Sequence, residues 1–158
     1  MSTLRSLKSD QRGATLVEFS IAATVFLMAM FAVIEFGRVL WVHNALTDAA
    51  RRGARYAVLQ CAPSDGTCPG SSTSVDRIKN IVVYGNSAGG TQPLVENLTT
   101  SNVNVNYSAF GLDGGTVSVS ITNYQFQFVL PLIGTSIPMP SYTTTLTGES
   151  AGWIPSNL

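Results

Sequence analysis

The run from Ala14 to Ile34 constrains this chain most: 21 residues holding one charged side chain, Glu18. At about 1.5 Å of rise per helical residue it reaches roughly 31 Å, against a hydrocarbon layer of about 30 Å. Such a run reads as a membrane-spanning helix. A cleaved secretory signal would have a shorter apolar region, about 7–15 residues, and small residues at its cleavage positions. This run ends instead in Glu35-Phe36-Gly37-Arg38, with no A-x-A pattern. A buried helix of a soluble protein needs apolar partners all round, and the remaining chain has too few strongly apolar runs to supply them.

Composition narrows the function classes. Charged residues make up 11% of the chain, against about 25% in ordinary soluble domains. Nine basic and nine acidic side chains balance, which points away from a nucleic-acid partner. There is one histidine, His43, and two cysteines, Cys61 and Cys68. Structural zinc takes about four ligands, so a metal site is not expected, and no cofactor is either. The cysteine spacing is not Cys-x-x-Cys, which argues against redox catalysis. A disulfide across the turn-rich loop Cys61–Cys68 is expected instead, adding very roughly 2–3 kcal/mol on a chain-entropy estimate. Its presence implies an oxidising compartment for the C-terminal part. With Arg5, Lys8 and Arg12 ahead of the span, the expected orientation is N-terminus in the cytoplasm and C-terminus outside.

Gly85-Asn86-Ser87-Ala88-Gly89 matches G-x-S-x-G, the nucleophile elbow of α/β-hydrolases. That fold needs a histidine after the serine in chain order, and none follows Ser87. The segment reads as a flexible Gly/Asn/Ser loop. The sparse acids Asp65, Asp76, Glu96, Asp113 and Glu149 show no paired-carboxylate spacing, so neither an enzyme nor a small-molecule substrate is expected.

Beyond the span the pattern stays helical to about Gln60. Val39, Val42, Leu46, Ala49, Ala50, Gly53 and Ala57 recur at three- and four-residue steps, a small-and-apolar stripe suited to a covering sheet. Asp48 precedes Arg51 and Arg52 by three and four residues, a favourable spacing. The basic cluster of Arg51, Arg52 and Arg55 reads first as a solvated helix face. His43 shows no partner in the sequence. Ser74 is expected to cap a short helix carrying Val75, Ile78, Ile81 and Val82 on one face and ending at Gly85. Strands follow. Val103, Val105 and Tyr107 alternate with asparagines, and after a turn at residues 112–116 Val117, Val119 and Ile121 alternate again. The apolar parity then slips to Tyr124, Phe126, Phe128 and Leu130, which predicts a bulge or kink at Asn123 within one long strand, with a break as the alternative. Residues 131–140 read as a proline-rich connection, and Tyr142, Thr144 and Leu146 as a last strand. The fold class is α+β: a long N-terminal helix packed by a three- or four-stranded antiparallel sheet.

Gly13 followed by Ala14-Thr15-Leu16-Val17-Glu18-Phe19 resembles the cleavage motif of type IV pilin-like proteins. Glu35-Phe36-Gly37-Arg38-Val39 and the later run Ala49-Ala50-Arg51-Arg52-Gly53-Ala54-Arg55-Tyr56-Ala57 resemble the TadE-like proteins, minor pilins or pseudopilins of the tight-adherence (Flp) pilus system. The resemblance covers about the first 60 residues well and the rest in outline, where a sheet against the outer half of a long helix resembles the pilin plan. It implies a prepilin peptidase cutting between Gly13 and Ala14, a cytoplasmic leader 1–13, a span 14–34, a helical continuation 35–60 and an extracytoplasmic head 61–158. It also implies a docking role for Glu18. The implied partners are the inner membrane, the peptidase, other pilin subunits and pilus assembly proteins. A membrane-anchored adhesin or assembly factor that never polymerises is the other reading.

Overall fold

The computed structural model describes residues 11–59, 71–111, 114–129 and 136–147, with the side chains of 11–12, 71–73, 109–111 and 114 left out of the description. Cys61 and Cys68, and with them the expected disulfide, lie outside the described residues. Helix α1 runs over Gln11–Val58 and helix α2 over Ser71–Tyr84. Strands β1 (Val103–Gly111), β2 (Gly114–Ile121) and β5 (Tyr142–Thr147) form one antiparallel sheet in the order β1-β2-β5. Strands β3 (Gln125–Gln127) and β4 (Ser136–Pro138) form a separate antiparallel pair. The chain divides into two compact units, Met1–Arg38 and Val39–Leu158. Together these elements make the α+β class expected from the sequence.

The second unit is organised by the small-residue stripe of α1. Val42, Leu46, Ala49, Ala50, Ala54 and Ala57 are buried, and Gly53 sits among them. The sheet opposes them with three rows set by its register: Val103, Ile121 and Tyr142; then Val105, Val119 and Thr144; then Tyr107, Val117 and Leu146. Each row is attached to α1 at a different height. The Tyr142 hydroxyl and His43 Nδ1 are hydrogen-bonded at 2.9 Å, with the rings edge-on. Val119 lies against Gly53, and the Tyr107 hydroxyl donates to the Ala57 carbonyl at 3.0 Å. That last bond satisfies one of the four carbonyls that the end of α1 leaves unpaired. The opposite face of the sheet carries Asn104, Asn106 and Ser108, then Ser118 and Ser120, then Thr143, Thr145 and Thr147, with no charged side chain among them. Period-two alternation between apolar and polar residues produces both faces.

Gly53 explains how closely these layers pack. A Cβ built there would overlap Val82 Cγ2 of α2 and lie 3.3 Å from Val119 Cγ1 of β2. Helix α2 presents Ile78, Val82 and Val83 to the core, with Ile81 and Val75 at its margin. It begins at Ser71, so Ser74 lies inside the helix and is not its cap. Its end is as expected: Gly85 takes a left-handed φ of 73°, and its N–H donates to the Ile81 carbonyl.

The parity slip after β2 resolves as a break, not as a kink in one long strand. Asn123 has φ 57°, which turns the chain out of the first sheet. Tyr124, just before β3, and Phe126 within it then reach the core from even positions. Asn102 holds the exit: its Nδ2 donates to the carbonyls of Thr122 and Asn123 at 3.1 and 3.2 Å. The Tyr124 hydroxyl donates to the Glu96 carbonyl at 2.8 Å. Part of the expected proline-rich connection is strand β4. Pro138 fits there because a two-stranded pair has only edges, and an edge position need not donate to the ladder.

Candidate functional site

Residues 13–34 of α1 are almost wholly exposed, large apolar side chains included, with Phe19 at 70% and Val33 at 72%. This is one apolar helix of membrane-crossing length near the N-terminus, and none of its most apolar window is buried against the rest of the chain. Such a surface is stable only against lipid or against other apolar helices.

Two hydroxyls within it bond back to the helix. Ser20 Oγ donates to the Leu16 carbonyl and Thr24 Oγ1 to the Ser20 carbonyl, both at 2.8 Å. Bonding back to the carbonyl four residues earlier lets hydroxyls enter an apolar layer without leaving a donor bare. Glu35 is buried and takes a 2.7 Å ion pair from Arg38 Nη1, three residues on. Glu18 differs. It is exposed, and among the described residues it is the charged side chain between Gly13 and Arg38 without an ion-pair partner. Gly13, Ala14 and Glu18 fall within a turn and a half of one another on α1.

Gly13 is helical and exposed, with nothing within 4 Å of the place a Cβ would occupy. Neither sterics nor a left-handed φ requires glycine there. A helical glycine costs about 1 kcal/mol against alanine, and no packing in the chain offsets that cost.

Elsewhere the residues singled out from the sequence have structural surroundings. Ser87 sits in a turn entered from helix α2, not from a strand. The Ser87 carbonyl accepts from Asn80 Nδ2 at 3.3 Å, and Asn86 Oδ1 accepts from the Ala88 N–H. Hydrogen bonds therefore hold the segment read as a flexible loop. His43, without a partner in the sequence, has one in Tyr142, 99 residues away. No local pattern announces that pair. The Glu35–Arg38 pair has the three-residue spacing that lets side chains meet on a helix. Of the two arginines placed to meet Asp48, Arg52 does so, at 3.3 Å. Among the described residues no cluster of His, Cys, Asp and Glu is placed to hold a metal ion.

No curated protein and no solved structure matches the chain. A family model does, over residues 13–55, and its description is TadE-like protein. The matched segment starts at Gly13, contains Glu18 and the Glu35–Arg38 pair, and ends within the Gly53 contact region. Over these residues the chain is similar to the TadE-like family.

Proposed function

We propose that this chain is a minor pilin or pseudopilin: a non-catalytic subunit processed after Gly13, held in the inner membrane by α1 with its head outside, and delivered into a Tad pilus or used to start one. The observation that carries the reading is the helix surface itself. It is apolar on all sides and bare, yet it bears one unpaired carboxylate five residues past a glycine that the fold does not need. Cutting the Gly13–Ala14 bond frees an amine with a reference pKa of about 8, cationic at neutral pH. That amine on one subunit is the partner we assign to Glu18 of the next. The bond lies within α1, so the peptidase must first open a helical turn, and a glycine lowers the cost of doing so.

The test is co-expression with the cognate prepilin peptidase followed by mass spectrometry of the mature N-terminus. A start at Ala14 is expected; an intact Met1 or any other start removes the processing claim. Glu18→Gln should leave cleavage in place and block incorporation into filaments, and normal assembly of that variant removes the docking role. The adhesin reading draws on the uncharged Asn/Ser/Thr face of the sheet. It predicts protein in the membrane fraction and none in purified filaments.

A further inference from the structure

The apolar run Ala14–Ile34 is not the only way to set α1 in a bilayer. Set that way, Glu18 stands about 6 Å inside the hydrocarbon, and Trp41 stands about 10 Å beyond its far edge, past the headgroups. Both positions suit their residues poorly. Leu40 and Trp41 are 47% and 61% exposed, large apolar side chains that the chain itself leaves uncovered.

We propose instead that the hydrocarbon layer lies between Glu18 and Arg38, and that Leu40 and Trp41 seat in the phospholipid headgroup layer on the outer side. The inference rests on the membrane anchoring proposed above and adds its register. Glu18 to Arg38 is twenty helical steps, about 30 Å, the thickness of the layer. Charge supports the same limits. From Phe19 to Thr47 α1 carries two formal charges, Glu35 and Arg38, and these neutralise each other at 2.7 Å. Glu35 would sit one turn inside the boundary, buried, with the longer Arg38 side chain directed to the headgroups. Ser20 and Thr24 are satisfied by carbonyls within α1, so neither needs water at that depth. Trp41 falls about 4–5 Å beyond Arg38, within a headgroup layer of about 5–7 Å. Tryptophan concentrates at that level because its ring is apolar and its N–H is not.

The chain has two tryptophans, Trp41 and Trp153, so Trp153→Phe leaves Trp41 as the only reporter. The full-length variant is reconstituted into phosphatidylcholine vesicles, and Trp41 fluorescence is followed with lipids brominated near the top or near the end of the acyl chain, and with aqueous iodide. The expected result is blue-shifted emission, strong quenching by the shallow bromines, weaker quenching by the deep ones and little by iodide. Strong iodide quenching with no bromolipid effect, in protein that floats with the vesicles, overturns the register and leaves the anchoring intact. Insensitivity to all three quenchers marks a protein partner over Trp41 and also overturns it. Protein recovered in the aqueous phase overturns the anchoring as well.

Discussion

Gly53→Ala is the sharpest test of the packing described above, because two effects of opposite sign meet at one methyl group. On an open helix face the exchange stabilises by up to about 1 kcal/mol, since alanine is the better helix former. At Gly53 the new Cβ would overlap Val82 Cγ2 and press on Val119 Cγ1. Both are methyls of β-branched side chains with one favoured rotamer in their elements, so neither can swing aside cheaply. Overpacking of this kind costs about 1–3 kcal/mol, occasionally more. We expect the clash to win, with a net loss of about 1–2 kcal/mol and a fall in Tm of roughly 5 °C for a unit of this size. Near-UV circular dichroism in detergent micelles reads the melting of the aromatic core without the signal of the span helix. Val82→Ala removes the clashing methyl, so the double variant should lose less than the sum of the two single losses. Gly37→Ala is the control, because nothing lies within 4 Å of its added methyl; it should not lower Tm. If Gly53→Ala melts at or above the wild-type temperature, or if Val82→Ala brings no relief, the close approach of the three elements is not what fixes glycine at this position.

Further outcomes follow from single contacts. Tyr107→Phe removes the hydroxyl that caps the Ala57 carbonyl and should cost about 1–2 kcal/mol in denaturant unfolding. Burial pushes the Tyr107 phenol up to about 12, above its ordinary 10. The folded state therefore holds that proton more tightly than the unfolded state. Its contribution is complete below pH 10 and is lost as pH rises toward 12; burial raises Tyr142 in the same direction. The alkaline decline in unfolding midpoint should be shallower in Tyr107→Phe, and an unchanged slope would sink this assignment. Asn123→Ala places a Cβ-bearing residue without a local polar tether at φ 57° and should cost about 1–2 kcal/mol, whereas Asn123→Gly should be near neutral by the same measurement. Phe126→Ala empties a fully buried ring site and should cost about 3–5 kcal/mol, enough to abolish cooperative melting of the head if its stability is ordinary.

The elements that were legible in the sequence are those whose reason is local. The α1 stripe is a three-and-four repeat from Val39 to Ala57, and six of its seven positions are buried, Val39 partly; Ala54 and Val58 are buried beside them without belonging to it. The alternation in β1 and β2 likewise places Val103, Val117, Val119 and Ile121 inward. The slip at Asn123 was visible too, but its consequence was not. A single residue at positive φ and a bulge leave the same mark on the parity, and only the pairing partner, three residues at Ser136–Pro138, decides between them. That partner was hidden by its proline, which reads as a breaker wherever edge status is unknown. The start of α2 is misplaced because Ser74 suits a cap by residue type, while the helix already runs from Ser71. At the candidate site, Glu18 stands out as the one charge in an apolar run, while the roles expected of Gly13, Ala14 and Glu18 come from the resemblance to the type IV pilin cleavage motif. The His43–Tyr142 bond was not legible, since no rule of short range links residues 99 positions apart.

The three attachments of the sheet to α1, at His43, Gly53 and Ala57, have a consequence for how this chain can vary in length. They lie on one continuous helix, where each residue advances the azimuth by about 100°. Deleting one residue anywhere between His43 and Ala57 would leave the inner attachment in place and carry the outer ones a quarter-turn or more out of line. No loop lies between them to take up the error. Insertions and deletions should therefore be lethal to folding within residues 43–57. They should be tolerated in the turn at residues 86–93, whose ends are held by the Gly85 and Leu94 N–H groups. A scan of single-residue deletions read by yield of protease-resistant head would map this boundary. Survival of a deletion at Thr47 would show that helix and sheet are not held in fixed register.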